Sequence, residues 1–286
     1  MTSLGYHQSL FDGKIEVKLG YFDNSQDFAG MAVGGNVATG ALGPQARIPV
    51  QVGLSAAGFG TPTLTVRARL SDYLYVKGGV ARSMSPDGFE AELAANDSGL
   101  KWSVPRAKAL YVGEGGYNRP SGEDKSLWIR VGGIYNTSDY RRFVDGEAED
   151  NWGVYAAIDA QLTQPDALMP FRGVYGGFTV NYAPDEQNLF TNYYEGRVYG
   201  IGLLPNRPFD MASVVASYNG LGRPGLDAIA PTGESDDHTV SVIGSYAYRL
   251  KPGVFLQPGA GVVFNPSFYP KRDTALNLYL GVTFIL

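Results

Sequence analysis

The segment TALNLYLGVTFIL, residues 274–286, alternates apolar and other side chains along its whole length. Its apolar residues occupy every second position: Leu276, Leu278, Leu280, Val282, Phe284 and Leu286. Because successive side chains of a β-strand point to opposite faces, this spacing predicts a strand with one wholly apolar face. An apolar phase of some kind must cover that face.

The composition favours strands and excludes some classes of partner. The 286 residues include 38 Gly, 19 Tyr and 14 Phe, a mixture that suits strands and turns better than helices. A net charge of −5 offers no basic surface for phosphate, so we expect no nucleic-acid partner. No run of about 18 apolar residues predicts a membrane-spanning helix, and no signal peptide is visible at the N-terminus.

The same alternation recurs upstream at a regular spacing. Including residues 274–286, thirteen segments are predicted as strands: 4–11, 13–22, 62–71, 73–83, 107–118, 126–137, 151–163, 171–183, 193–204, 209–219, 237–250, 254–264 and 274–286. Tight turns at 71–72, 206–208 and 251–253 alternate with longer polar connections such as 84–106 and 220–236. Alternating short and long connections are typical of outer-membrane barrels.

The two faces of these segments differ in polarity. In 62–71, Leu64 and Val66 lie on one face and Arg67 and Arg69 on the other. A soluble sandwich would bury the apolar face, whereas a membrane barrel would turn it to lipid. Aromatic residues at segment ends favour the barrel, because such residues form interfacial girdles; those assigned to the girdles are Tyr73, Trp128, Trp152, Tyr182, Tyr193, Tyr194, Tyr218 and Tyr248.

Three stretches resemble the OprB family of carbohydrate-selective porins: QSLFDGKIEVKLGYFDNSQDFA (8–29), GLLPNRPFDMASV (202–214) and LQPGAGVVFNP (256–266). The resemblance spans roughly residues 4–286 and implies a sixteen-stranded outer-membrane channel for sugar diffusion. Family members often carry a Glu where this chain has Ile243. Their usual N-terminal part, which precedes the first of these stretches, is also lacking.

We therefore expect an all-β fold, a transmembrane antiparallel up-and-down β-barrel of about 14–16 strands, forming one outer-membrane domain over residues 1–286. The turn order leaves Met1 on the extracellular side, which an even-stranded closed barrel does not accommodate. Either residues 23–61 contain further strands, with 49–57 as a candidate, or upstream strands are absent; the second alternative is favoured. Residues 23–61 are also expected to fold inward as a constriction.

The chain shows no signature of an enzyme. It has no Cys, only two His, and no nucleophile-elbow, P-loop or zinc-protease motif. We expect no catalysis, no cofactor and no metal, and the acidic loop 145–150 is interpreted as solvated. The charged and aromatic residues opposite the lipid face are instead predicted to line the pore and to contact the solute: Arg67, Arg69, Lys77, Glu114, Arg130, Tyr155, Asp159, Arg197 and Tyr199.

The predicted function is passive, carbohydrate-selective diffusion through a water-filled lumen in the bacterial outer membrane. Sugars are the expected solutes, and outer-membrane lipid and lipopolysaccharide the surroundings. The alternative is a structural or export barrel that anchors a partner complex or passes a polysaccharide. In that case a partner chain would complete the barrel.

Overall fold

The computed structural model describes residues 3–30, 47–56, 59–230 and 235–284. Within these ranges, thirteen strands form one sheet: β1 Ser3–Leu10, β2 Ile15–Phe22, β3 Thr61–Arg69, β4 Leu74–Arg82, β5 Ala109–Arg119, β6 Leu127–Arg141, β7 Ala148–Gln161, β8 Gly173–Tyr182, β9 Phe190–Ile201, β10 Met211–Leu221, β11 His238–Lys251, β12 Val254–Phe264 and β13 Ala275–Phe284. All thirteen predicted segments therefore become strands.

The strands follow one another around the sheet in chain order. Each pairs antiparallel with its neighbours in the sequence, from β1 to β13. The predicted antiparallel up-and-down arrangement is confirmed. The described residues form thirteen strands, fewer than the predicted total, and in them β1 pairs only with β2 and β13 only with β12.

The connections alternate between two ends of the sheet. Four residues join β3 to β4 and two join β11 to β12 at one end, which we call the short-turn end. At the other, the long-loop end, 26 residues join β4 to β5 and 16 join β10 to β11. The helices are short: α1 Arg47–Gln51, α2 Phe89–Ala95 and α3 Arg223–Ile229, with a 3-10 turn at Asn24–Gln26. No helix in the described ranges is long and apolar enough to cross a bilayer.

The outer face of the sheet is apolar and exposed. On β13, Leu276, Leu278 and Leu280 are 70%, 77% and 69% exposed, as the alternation predicts. Outward-facing side chains of other strands continue this band, including Val66, Val131 and Val214. Six of the eight aromatic residues assigned to girdles also lie exposed on this face: Tyr73, Trp152, Tyr182, Tyr194, Tyr218 and Tyr248.

The opposite face curls around residues 24–30 and 47–56, which we call the inward segment. Lys18 of β2 bonds to Asp27 of this segment, and Gln51 bonds to Phe190 of β9. The inward fold expected for residues 23–61 is therefore confirmed for the described part, while residues 31–46 and 57–58 lie outside it. Residues 47–51 are helical, so the alternative that residues 49–57 form a strand is wrong there.

Candidate pore lining and constriction

The lumen face of β4, β5 and β7 holds a cluster centred on the Glu114 carboxylate. Lys77 Nζ lies 2.8 Å from Glu114 Oε1, and the hydroxyls of Tyr75 and Tyr155 donate to Oε1 and Oε2 at 2.8 Å each. The backbone N–H of Ala29, in the inward segment, donates to Oε2 at 3.3 Å. One carboxylate therefore joins three wall strands to the segment inside the barrel.

A second cluster is centred on Asp159 of β7. Arg130 Nη1 lies 2.9 Å from Asp159 Oδ2, and Arg197 Nε lies 2.7 Å from Oδ1. Arg197 also reaches Glu195 Oε1 at 2.9 Å, while Arg130 Nε donates to the carbonyl of Gly30 at 2.6 Å. Both Arg side chains are fully buried. Since isolated buried charges are very costly, this mutual pairing is what allows them to remain inside the wall.

Gly177 makes the pairing between Asp159 and Arg197 possible. The strand register places Gly177 of β8 directly between these two residues. A Cβ atom at Gly177 would lie 2.5 Å from Asp159 Oδ1 and 2.6 Å from Arg197 Nε. Because both distances are shorter than van der Waals contact, only glycine leaves room for the ion pair to cross over β8.

The long-loop half of the inward segment is packed firmly against the wall. Val52 and Leu54 are fully buried in a cluster with Ile134 of β6. The Asn136 amide donates to the Val52 carbonyl at 2.6 Å. The Gln51 side chain donates to the Phe190 carbonyl and accepts from its N–H, both at 2.9 Å. Apolar packing and hydrogen bonds together fix this part of the segment inside the barrel.

A cavity of about 250 Å³ lies between the inward segment and the short-turn end. Phe28, Tyr75 and Trp128 supply aromatic walls, and Lys18 and Arg67 supply donors. Trp128 Nε1 donates to the Tyr75 hydroxyl at 3.1 Å, and the Arg130 guanidinium lies 3.6 Å from the Trp128 ring centroid. The cavity is smaller than the ~300–1,000 Å³ of pockets for drug-sized ligands, and it combines apolar ring faces with hydrogen-bonding groups.

The structure brings most of the predicted pore-lining residues together. Lys77, Glu114 and Tyr155 form the first cluster, and Arg130, Asp159 and Arg197 the second.

The other three predicted pore-lining residues lie apart from these clusters. Arg67 is half-exposed beside the cavity, 3.6 Å from Glu16. Tyr199 stacks on Tyr175 with ring centroids 4.9 Å apart. Arg69 is exposed at the last residue of β3, towards the short turns.

Two aromatic assignments are wrong, because Trp128 and Tyr193 lie on the lumen face and not in a lipid girdle. Trp128 lines the cavity. Tyr193 is 1% exposed and its hydroxyl bonds to Glu195. Each is an even number of residues from a predicted lumen Arg on the same strand. The alternation alone therefore predicts that both side chains face the lumen. The same count would also have identified Glu195.

The lumen face of β10 and β11 has a different chemistry from that of β4–β9. Ser213 pairs with Ser245 at 3.1 Å, and Ser217 with Ser241 at 2.7 Å. Ile243 lies between these pairs on β11 and is 2% exposed. Ile243 therefore presents an apolar side chain on the lumen face, at the position where the resemblance to the family implies a carboxylate.

The turn at 202–210 is built around Asp210. Its two oxygens accept from Arg207 at 2.7 and 2.8 Å, from the Tyr246 hydroxyl at 2.7 Å and from the Arg249 N–H at 2.9 Å. Burial alone would raise the pKa of Asp210, but these donors outweigh it and lower the pKa. The first nine residues of the stretch GLLPNRPFDMASV thus form a self-bonded turn that fixes the end of β9 to β11.

The described residues offer no group of three or more His, Asp or Glu arranged to hold a metal ion. In the acidic loop 145–150, Asp145 pairs with Arg142 at 3.0 Å. The chemistry of the lumen is therefore that of ion pairs, hydroxyls and aromatic rings.

A curled antiparallel sheet with an exposed apolar outer face and a charged inner face is the architecture of a membrane-spanning β-barrel channel. The family model described as carbohydrate-selective porin, OprB family, matches residues 1–284, and the chain belongs to that family. The resemblance found in the sequence is confirmed. The predicted function is likewise confirmed at this level: the chain is a carbohydrate-selective porin, a transport channel.

Two solved structures are similar to this chain. The high-pH structure of Pseudomonas putida OprB matches with a TM-score of 0.82 at 17% identity, over 99% of this chain and 72% of that one. The low-pH structure of the same protein matches with a TM-score of 0.58 at 13% identity, over 99% of this chain and 66% of that one. These matches establish the barrel fold. No curated protein sequence matches the chain.

Proposed function

We propose that the cavity bounded by Phe28, Tyr75 and Trp128 is the narrow part of a passive pore, and that single sugar rings cross it down their gradient. Aromatic rings can contact the apolar face of a sugar ring, while charged and hydroxyl groups hydrogen-bond its rim. The cavity volume of about 250 Å³ favours one ring over a chain of rings. The nine predicted pore-lining residues act as a set that forms the wall.

The observation that carries this proposal is the pairing of charges around the cavity and the two clusters. Each cation there lies within 4.0 Å of a carboxylate: Lys18 with Asp27, Arg67 with Glu16, Lys77 with Glu114, Arg130 with Asp159, and Arg197 with Asp159 and Glu195. Five cations face five carboxylates, so this wall presents polar groups without net charge. Such a wall favours uncharged polar solutes over ions of either sign.

Liposome swelling with the reconstituted protein tests the proposal. A neutral hexose should enter faster than a disaccharide and faster than the corresponding aldonic acid. Trp128→Ala should narrow the difference between hexose and disaccharide, whereas Trp152→Ala on the lipid face should leave it unchanged. Equal entry of all three solutes through the unmodified protein would contradict the proposal.

We also propose that the protein resides in the bacterial outer membrane as one barrel domain over residues 1–286, has no catalytic activity, and is surrounded by phospholipid and lipopolysaccharide. Family membership and the exposed apolar band support this location. Fractionation of cells on a sucrose gradient tests it; recovery with the inner membrane or the soluble fraction would contradict it.

A second proposal concerns closure of the barrel. In the described residues β1 and β13 both run from the long-loop end to the short-turn end. Antiparallel closure between them therefore requires an odd number of further strands, and a partner chain is one source. If a partner chain supplies these strands, the alternative role as a barrel that anchors a partner follows. Cross-linking through Cys introduced on β1 and β13 tests it; only an additional chain cross-linked at both edges would support that role.

A further inference from the structure

The connection 83–108, which we call the flap, begins at the rim, where the Met84 N–H donates to the Gly53 carbonyl of the inward segment. Its residues 92–102 contact outward-facing side chains of the wall. Strand alternation places Arg82 on the same face as Val80, whose side chain is 38% exposed on the outer face. Arg82 itself is only 7% exposed, because Glu92 of α2 covers it. Arg82 Nη2 and Nη1 donate to Glu92 Oε1 and Oε2 at 2.7 and 3.0 Å. This two-bond ion pair holds the flap to the outer rim.

The Glu92 carboxylate is fully bonded in this position. Asn96 donates to Oε1 at 3.0 Å, and the Ser85 N–H donates to Oε2 at 2.9 Å. Burial alone would raise the pKa of Glu92, but the bonds and charge of Arg82 outweigh it and lower the pKa. The Glu92 carboxylate therefore loses its proton more readily than an ordinary glutamate does.

A second contact attaches the far part of the flap to β2. Tyr21 shares the outer face of β2 with Leu19, which is 53% exposed. The Tyr21 hydroxyl donates to the Leu100 carbonyl at 2.5 Å, and its ring lies 6.1 Å from that of Trp102 at an interplanar angle of 69°. Trp102 is nevertheless 73% exposed. The contact thus orders the indole without covering it.

The exposed flap residues continue the apolar band of the barrel. Leu93 and Leu100 are exposed on the flap, and Leu19 and Leu64 are exposed on the strands below Tyr21. The charges closest to Trp102 in sequence are both paired: Lys101 lies 3.0 Å from Asp97, and Arg106 pairs with Asp87. An exposed Trp at the edge of a lipid-facing band is typical of the membrane interface, where the apolar ring and the polar N–H are both accommodated.

We propose that the flap is a membrane-docking element, and that Trp102 lies at the boundary between headgroups and acyl chains in the bilayer leaflet at the long-loop end. The occupant of this surface is lipid, because the surface is continuous with the lipid-facing band of the barrel. The proposal rests on the proposed membrane location of the barrel.

Depth-dependent fluorescence quenching tests the docking. Three single-Trp variants retain Trp102 (W128F/W152F), Trp152 (W102F/W128F) or Trp128 (W102F/W152F). Each is reconstituted in phosphatidylcholine vesicles brominated either near the headgroup or near the chain end, after its folded gel mobility has been verified. Trp152, on the lipid face, reports insertion of the barrel, and Trp128, in the lumen, should be insensitive.

Trp102 should be quenched by bromine near the headgroup more strongly than by bromine near the chain end. Quenching of Trp152 without quenching of Trp102 would overturn the docking proposal while leaving the membrane location intact. If neither Trp152 nor Trp102 were quenched by bromolipid, the proposed membrane location would be refuted, and the docking proposal with it. If Trp102 resisted both bromolipid and aqueous acrylamide, a second copy of the chain would cover it, and the lipid proposal would be wrong.

Releasing the flap provides an independent readout. In the variant that retains Trp102, Glu92→Gln removes the ionic bond to Arg82, so lipid quenching of Trp102 should fall and aqueous quenching should rise. Asp97→Asn is the matched control, because it breaks only the exposed pair with Lys101. Identical quenching of Trp102 in the Glu92→Gln and Asp97→Asn variants would show that the Arg82–Glu92 pair does not hold Trp102 in the membrane.

Discussion

The lumen faces of β4–β9 and of β10–β12 have the same backbone geometry but opposite side-chain chemistry. The first is crossed by ion pairs centred on Glu114 and Asp159, whereas the second presents serine pairs and Ile243. The inward segment bonds to strands between β2 and β9, a range that includes the whole charged face. Charge in this barrel is therefore concentrated where the inward segment covers the wall and where each charge can be paired.

The largest effect is expected from Asp159→Ala in the charged half. The change leaves buried Arg130 without its carboxylate partner and Arg197 with Glu195 only. Breaking a buried pair typically costs about 3–5 kcal/mol, so unfolding by urea in detergent should shift by that amount. Asp124→Ala, which breaks an exposed pair with Arg119, should cost about 0–1 kcal/mol. Equal costs for both variants would contradict the comparison.

Glu114→Gln should have the next largest effect. The substitution keeps the shape of the side chain but removes the charge that pairs with Lys77 and strengthens the bonds from Tyr75 and Tyr155. Hydrogen bonds to charged groups contribute about 1.5–3 kcal/mol, and the unfolding free energy should fall within that range. The uncompensated Lys77 should also shift the reversal potential of single channels towards anions, and the further change Lys77→Met should cancel that shift.

Ile243→Glu introduces a charge into the lumen face of β10–β12, which is otherwise lined by serine pairs, and so makes it more like the charged face of β4–β9. The carboxylate enters a buried position that pairs with Val215 and Gly261 on the neighbouring strands and has Ser241 and Ser245 on either side along β11. None of these residues is a cation, so the change should cost about 1–3 kcal/mol. Above the pKa of the introduced Glu, channels should become more selective for cations. Ile243→Gln is the uncharged control. A shift of the same size in both variants would indicate a change of shape and not of charge.

The smallest effect is expected from Ser217→Ala in the neutral half. It removes one hydrogen bond to Ser241, of 2.7 Å, and should cost about 0.5–1.5 kcal/mol. The double variant Ser217→Ala/Ser241→Ala should be nearly as stable as the single one, because the Ser241 hydroxyl is then not left without its partner. If Ser217→Ala lowered the free energy of unfolding as much as Asp159→Ala, the lumen faces of β4–β9 and β10–β12 would not differ in the way described.

The alternation of apolar and polar residues in the sequence predicts most of the barrel wall. Period two predicts every strand, and it places Lys77, Glu114 and Asp159 on the lumen face. Trp128 and Tyr193 lie near strand ends, which suggests an interfacial girdle, but their even spacing from Arg130 and Arg197 predicts the lumen face. The spacing is the more reliable signal, because the alternation of a strand fixes the face of each side chain.

Other features depend on contacts that no local pattern contains. The bond of Ala29 to Glu114 joins residues 85 positions apart, and that of Gln51 to Phe190 joins residues 139 apart. The outward fold of the flap depends on the pairing of Arg82 with Glu92 on a face that alternation alone would turn to lipid. A guanidinium at the end of β4 and a carboxylate ten residues later, in a polar loop, give no sign of that burial in the sequence.

The carboxylate shared by Arg130 and Arg197 also constrains the order in which this pore can diverge. Replacing Asp159 first leaves Arg130 buried without a counter-charge, whereas replacing Arg130 first leaves Asp159 bonded to Arg197 through both oxygens. A side chain at Gly177 is blocked as long as that pair exists. Lineages that change this site one residue at a time should therefore lose Arg130 before Asp159, and gain a side chain at position 177 last.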